Sequence, residues 1–241
     1  MLTVVWSFRN RFDDLAASVL TAHGTCQAEC PFLLVDADSS LETLHRLRYM
    51  LTAIPRRIKI VESHHRMSLA EAWNLGIHLA TTDRVVIASS DSHFLSNTWD
   101  RRLGYSDYTL LGNHAVFALS KSAVKRIGWF DEGFGLGPHF DCDYMIRASE
   151  AGIDPVIIPN DGYYRHPNAM EGRLLKELPD RLPMHDPANE RYFKAKWQTD
   201  WPGWTGAADH EHPPHPPTHI SQVKRLLPEI DPHPRWTERL P

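Results

Sequence analysis

Cysteine is scarce: Cys26, Cys30 and Cys142 are the only three in 241 residues. So sparse and odd a set excludes a disulfide framework and fits a reducing compartment. Cys26 and Cys30 form a C-x3-C pair with no second pair to complete a four-ligand zinc site, so they read as incidental. A basic excess is missing too. The formal net charge is −4, whereas holding nucleic acid electrostatically takes a basic surface that displaces counterions. No apolar run is long enough for a membrane-spanning helix. Leu2-Thr-Val-Val-Trp6 precedes the charged Arg9 and Arg11, the reverse of the order in a secretory signal. A cytoplasmic protein is the expectation. Residues 6–12 hold no glycine, which disfavours the glycine- and lysine-rich phosphate loop of nucleotidyltransferases.

What is present is an alternation of short apolar runs and helical patterns. Leu2–Trp6, Phe32–Val35, Ile58–Val61 and Arg84–Ala88 have strand character, and Asp13–Leu20, Leu41–Leu51 and Ser68–Ala80 have helical spacing. Ser39 or Ser40 supplies an N-cap for the second helix. This β-α-β-α-β-α-β order predicts an α/β domain with a parallel sheet covered on both faces. Ligands bind at the carboxyl ends of such strands, and two polar clusters, Asp36–Ser40 and Ser89–His93, follow strands directly. After residue 105 come short strands at Tyr108–Leu111, His114–Leu119 and Val156–Ile158. Helices are predicted at Lys121–Ile127 and Phe140–Ala151, with a glycine-rich loop, Gly133–Gly137, between them. Asn189–Trp197 reads as a helix. His210–His219, mostly histidine and proline, reads as an extended tail.

Asp91-Ser92-His93 carries the strongest chemical signal. Residues two apart at a strand end face the same way. They offer one carboxylate oxygen and one imidazole nitrogen to Mn²⁺ or Mg²⁺, with diphosphate oxygens and water completing the shell. The imidazole tilts the choice to Mn²⁺. His166, in Tyr163-Tyr-Arg-His-Pro167, is a candidate third ligand. Asp141 and Asp143 open a predicted helix, where carboxylates are ordinary dipole partners. Asp141 also suits a general base, because a sugar hydroxyl needs a positioned carboxylate to take its proton. The glycine-rich loop before it would then be a mobile lid over the acceptor.

Taken together, these segments resemble the family 2 glycosyltransferases and their GT-A relatives over residues 1–168. Val4-Val-Trp-Ser-Phe-Arg-Asn-Arg11 resembles the first-strand segment, without its usual proline. Leu34-Val-Asp-Ala-Asp-Ser-Ser40 is similar to the element that contacts the nucleotide base. Ser68-Leu-Ala-Glu-Ala-Trp-Asn-Leu-Gly76 resembles the asparagine-bearing helix, and Ile127-Gly-Trp-Phe-Asp-Glu132 the segment before the acceptor site. Ser89-Ser-Asp-Ser-His93 stands where the metal-binding DxD belongs, as DxH. Polypeptide N-acetylgalactosaminyltransferases, which retain configuration, also use DxH. Phe140 replaces a usual glutamate, while Asp141 keeps the base.

The resemblance implies a GT-A fold: a Rossmann-like mixed sheet flanked by helices. Residues 1–168 would be the catalytic domain, with a nucleotide-binding half at about 1–95 and an acceptor half at about 96–168. A helical extension (169–200) and a Pro/His-rich tail (201–241) would follow. It implies metal-dependent, inverting transfer of a sugar from a UDP-, GDP- or dTDP-linked donor. Ser7, Arg9, Asp36, Asp38, Arg66, Asn74 and Asp91 would bind the donor. Asp91, His93 and His166 would hold Mn²⁺ (or Mg²⁺), and Asp141 would be the catalytic base. The acceptor stays open among a glycan, a protein, a small molecule and a modified DNA base. The setting implied is the cytoplasm of a bacterial or phage-infected cell. The DxH and Phe140 departures leave room for an inactive nucleotide- or glycan-binding relative.

Overall fold

A computed structural model describes residues 1–55, 57–135, 139–159, 163–165 and 187–197. Its spine is a sheet of seven strands in the order β3-β2-β1-β4-β7-β6-β8. These are β1 (Leu2–Phe8), β2 (Phe32–Asp36), β3 (Ile58–Val61), β4 (Arg84–Ser89), β6 (Tyr108–Leu111), β7 (Asn113–Ser120) and β8 (Val156–Ile158). A separate small ribbon pairs β5 (His93–Phe94) with β9 (Tyr164–Arg165). The first four strands of the large sheet are mutually parallel, as the β-α-β order predicts. β7 runs antiparallel to both its neighbours, β4 and β6, and makes the sheet mixed.

Each face has its own core. Along β1, Val4, Trp6 and Phe8 pack toward α1 (Phe12–Thr25) and α2 (Leu41–Leu51), while Val5 packs toward α3 (Leu69–Leu79). That is the two-residue period of a strand buried on both sides. α4 (Trp99–Arg102) lies on the α1 face, where Trp99 packs 4.3 Å from Phe94. α5 (Lys121–Ile127) and α6 (Phe140–Glu150) share the α3 face.

Local signals explain the helix ends. Ser40 caps α2 through the Thr43 N–H, and Ser68 with Glu71 forms a complete capping box on α3. Gly76 lets α3 lie directly on β1, since a Cβ there would stand 2.3 Å from Val5 Cγ1. The described start of the expected loop at 133–137 belongs to a 3-10 turn, Glu132–Phe134.

The predicted helix at 189–197 is α7 (Pro187–Trp197), and it is pinned to the α3 face by charge. Lys196 Nζ lies 2.5 Å from Asp131 Oδ2 and 2.6 Å from Asp143 Oδ1. Arg147 Nε donates to Asp143 Oδ2 at 2.9 Å, and Trp197 Nε1 donates to its Oδ1 at 2.9 Å. Burial works against the charge of Asp143, but Arg147 and Lys196 outweigh it and hold the carboxyl below its usual range. Among the described residues, no helix is long and apolar enough to cross a membrane. The 201–241 tail and most of the 169–200 extension lie outside the described residues.

Candidate active site at the carboxyl edge of the sheet

β4 delivers the Asp91-Ser92-His93 loop to the carboxyl edge of the parallel strands. Asp91 is 3% exposed. Its Oδ1 accepts a 2.5 Å hydrogen bond from Ser89 Oγ, and Arg11 approaches its Oδ2 at 3.4 Å. The loop is anchored from behind. Trp6 Nε1 donates to Ser18 Oγ, which donates to the Ser92 carbonyl at 2.6 Å. The Phe94 N–H donates to Thr21 Oγ1 at 3.1 Å. A core indole and α1 therefore fix the position of the loop backbone.

His93 is half-buried, and its Nε2 has no hydrogen-bond partner among the described residues. An orphaned, buried imidazole nitrogen two residues from a buried carboxylate is a donor set that fits Mn²⁺ or Mg²⁺. His166 lies outside the described residues. It follows Arg165 in sequence, and the Arg165 backbone pairs with His93.

The nucleotide residues divide. Ser7 ends β1 and accepts from Trp73 Nε1 at 3.2 Å. Arg9 Nε donates to the Asp38 carbonyl at 3.3 Å, so the loops after β1 and β2 are tied together. Asp36 is fully buried. Its Oδ1 accepts the Ser39 N–H at 3.0 Å, while its Oδ2 has no partner among the described residues. Burial pushes the Asp36 carboxyl up, partly offset by hydrogen bonds from Ser39. Asp38 adopts a left-handed conformation with φ of 77°. Arg66 stands exposed in the β3–α3 loop at the same edge, with no ion pair to Asp91 among the described residues.

The structure gives Asn74 a different task from contacting the donor. It is 0% exposed. Its Oδ1 accepts the Phe130 N–H, and its Nδ2 donates to the Phe130 carbonyl and to Glu132 Oε1 at 2.9 and 2.8 Å. With every donor and acceptor so engaged, Asn74 holds the 130–132 segment in place.

Asp141, in the first turn of α6, is half-exposed. Its Oδ1 accepts the Cys142 N–H, and its Oδ2 lies 3.8 Å from His114 Nδ1. Burial lowers the His114 pKa, opposed by the Asp141 charge, while burial raises that of Tyr108 well above its usual value. The Tyr108 hydroxyl and His114 Nε2 share a hydrogen bond of 2.6 Å, which leaves Nδ1 as the ring nitrogen nearer Asp141. Neither His114 nor Arg11 carries a recognisable sequence signal of these contacts, because the partners are far apart along the chain.

β7 brings the two sides together. Ser92 Oγ donates to the Ala115 carbonyl at 3.3 Å, and the next residue back, His114, faces Asp141. Consecutive residues of one antiparallel strand thus meet the candidate metal loop and the candidate base.

This architecture is the GT-A fold. The chain is similar to a mannosyltransferase, PcManGT from Pyrobaculum calidifontis, solved with GDP-Man and Mn²⁺: TM-score 0.57 and 16% identity over 67% of this chain and 58% of that one. It is also similar to S. aureus TarS 1-349 in complex with UDP-GlcNAc, at TM-score 0.56 and 11% identity over 68% and 57%. GalNAc-T7 with UDP, GalNAc and Mn²⁺ aligns at TM-score 0.56 and 13% identity over 66% and 42%. The matched region is thus between about two-fifths and three-fifths of each neighbour's length. No protein-family model and no curated protein matches the sequence.

Proposed function

We propose that the chain is a metal-dependent glycosyltransferase that moves a sugar from a nucleotide-diphospho-sugar to an acceptor hydroxyl with inversion. The observation that carries this reading lies at β7, where the Ala115 carbonyl accepts from Ser92, between Asp91 and His93 with its orphaned imidazole nitrogen, and neighbouring His114 stands 3.8 Å from the Asp141 carboxylate. The proteins of like fold were solved with GDP-Man, UDP-GlcNAc or UDP, two of them with Mn²⁺.

In this reading residues 1–95 form the donor half and 96–168 the acceptor half. Asp36 and Asp38 face the nucleoside, with Ser7 and Arg9 beside them. Arg66 and Arg11 reach the diphosphate. Asp91 and His93, with His166, hold Mn²⁺ (or Mg²⁺), which when bound supplies Lewis-acid stabilisation to the departing diphosphate. Asp141 takes the proton from the acceptor hydroxyl as its oxygen bonds to the anomeric carbon and the carbon–diphosphate bond breaks. A base opposite the leaving group calls for inversion. The His114 ring stands beside the Asp141 carboxylate, 3.8 Å from its Oδ2. A cytoplasmic setting belongs to the same proposal.

The test is nucleotide release from a panel of UDP-, GDP- and dTDP-sugars with and without Mn²⁺. At least one donor should turn over only with metal. Asp91→Ala should cut that turnover about 1,000-fold, the scale of several kcal/mol of lost charge stabilisation. Nucleotide binding by thermal shift with no turnover of any donor would instead mark an inactive binding protein. Phe140, 5% exposed and 5.0 Å from Trp73 where related sites carry a glutamate, is the feature that favours that outcome.

A further inference from the structure

Behind the metal loop, the end of α1 and the start of α4 bring two thiols and a carboxylate together. Cys26 is the C-cap of α1, Cys30 precedes β2, and Asp100 lies in α4. Cys26 Sγ is 3.2 Å from Cys30 Sγ and 3.5 Å from Asp100 Oδ2. One ligand atom from each residue falls within 4.8 Å of the others, and the residues are 8%, 1% and 3% exposed.

We propose that Cys26, Cys30 and Asp100 bind Zn²⁺, with a water in the fourth position. Tetrahedral zinc lies about 2.3 Å from sulfur and about 2.1 Å from oxygen, which sets the S···O edge near ~3.6 Å and the S···S edge near ~3.8 Å. The separation of Cys26 Sγ from Asp100 Oδ2 already meets that shape, and Cys30 Sγ lies within 4.8 Å of the carboxylate. The sulfurs need to part by about 0.6 Å, a small torsional adjustment of two side chains.

The carboxylate is oriented in advance. Main-chain N–H groups of Gln27 and Ala28 donate to Asp100 Oδ2 at 3.0 and 2.9 Å, and that of Arg101 to Oδ1 at 2.9 Å. Hydrogen-bonded carboxylates of this kind are what ordered metal ligands require. Binding releases the two thiol protons as two zinc–thiolate bonds form. Soft sulfur selects Zn²⁺ over Mn²⁺ and Mg²⁺, so this site does not compete with Asp91 and His93 for the same ion.

The placement gives the ion a structural role. Trp99 Nε1 donates to Thr25 Oγ1 at 3.0 Å, one residue before Cys26. A zinc clip here would close α1 onto α4, and α1 carries the Ser18 and Thr21 hydroxyls that hold Ser92 and Phe94. The clip does not depend on the proposed sugar transfer, and its test reads no catalysis.

The full chain should be produced with zinc in the medium, kept reduced, gel-filtered and analysed for metal. About one Zn²⁺ per chain is expected. Replacement by Co²⁺ should give a near-ultraviolet thiolate-to-cobalt charge-transfer band, which Asp91 and His93, having no sulfur, cannot produce. Cys26→Ser/Cys30→Ser should lose both the zinc and the band while keeping its Mn²⁺-dependent thermal shift with nucleotide. If that variant does not fold, the wild-type cobalt spectrum decides. A wild-type protein that carries no zinc and shows no band with excess Co²⁺ overturns the site and leaves a hydrogen-bonded thiol pair.

Discussion

The two halves of the molecule are held together by different means. In the half from β1 to β4, the candidate residues sit on short loops between parallel strands, and hydrogen bonds to main-chain groups hold those loops. Ser39 donates to Asp36, Ser18 to the Ser92 carbonyl, and the Asp38 carbonyl accepts from Arg9. In the other half, α6 is held by a buried ion network. Asp143 lies between Arg147 and Lys196, and Lys196 reaches on to Asp131. A half built on local loops presents its site wherever strands end. A half braced by distant charges couples the helix that bears Asp141 to α7. That difference separates chemistry from stability, and each can be perturbed alone.

The largest expected effect is chemical. Asp141→Asn should lower transfer about 100- to 10,000-fold, the range general bases supply. Donor affinity by titration should stay unchanged, because no hydrogen bond or ion pair ties Asp141 to residues 1–95 among the described residues. A matching loss of donor binding would show that the two halves do not act separately.

Next comes the ion network. Lys196→Met leaves Asp131 without its buried cation and should cost about 3–5 kcal/mol of stability in a urea melt. If the comparison holds, hydrogen exchange should rise in α6 and α7 and stay unchanged in β1, β2 and α1.

Acid gives the smallest and most graded test. The folded state holds the Asp143 carboxyl below the ordinary value of 3.8, so the unfolded chain binds more protons and stability rises with pH. The contribution is complete above that ordinary value and is lost as pH drops through the lower folded value. Urea midpoints from about pH 5 down to about pH 2 should therefore fall, and Lys196→Met should flatten the fall. An equal slope in wild type and variant would remove Asp143 as its source.

The same contrast explains what could be read in advance. Parallel strands, capped helices and the polar clusters at strand ends follow from short-range pattern. Thus the strand expected at Arg84–Ala88 is Arg84–Ser89, and Ser40, one of the two serines expected to cap the second helix, does so. The helix at 189–197 was also legible, but its docking was not, because Lys196 meets Asp131 across 65 residues. Asn74 shows a subtler limit. Its motif position signalled importance, and only coordinates distinguish an amide that meets a ligand from one that braces a loop. His114 and Asp100 look ordinary in the sequence, because their meaning lies wholly in what the fold brings against them.

One consequence follows from the way β7 is used. Ser92 rests on the main-chain carbonyl of Ala115, whereas Asp141 meets the side chain of His114. A carbonyl is present whatever residue bears it, while an imidazole is not. A change of side chain at residue 114 would therefore alter the surroundings of Asp141 while leaving the main-chain support of Ser92 in place.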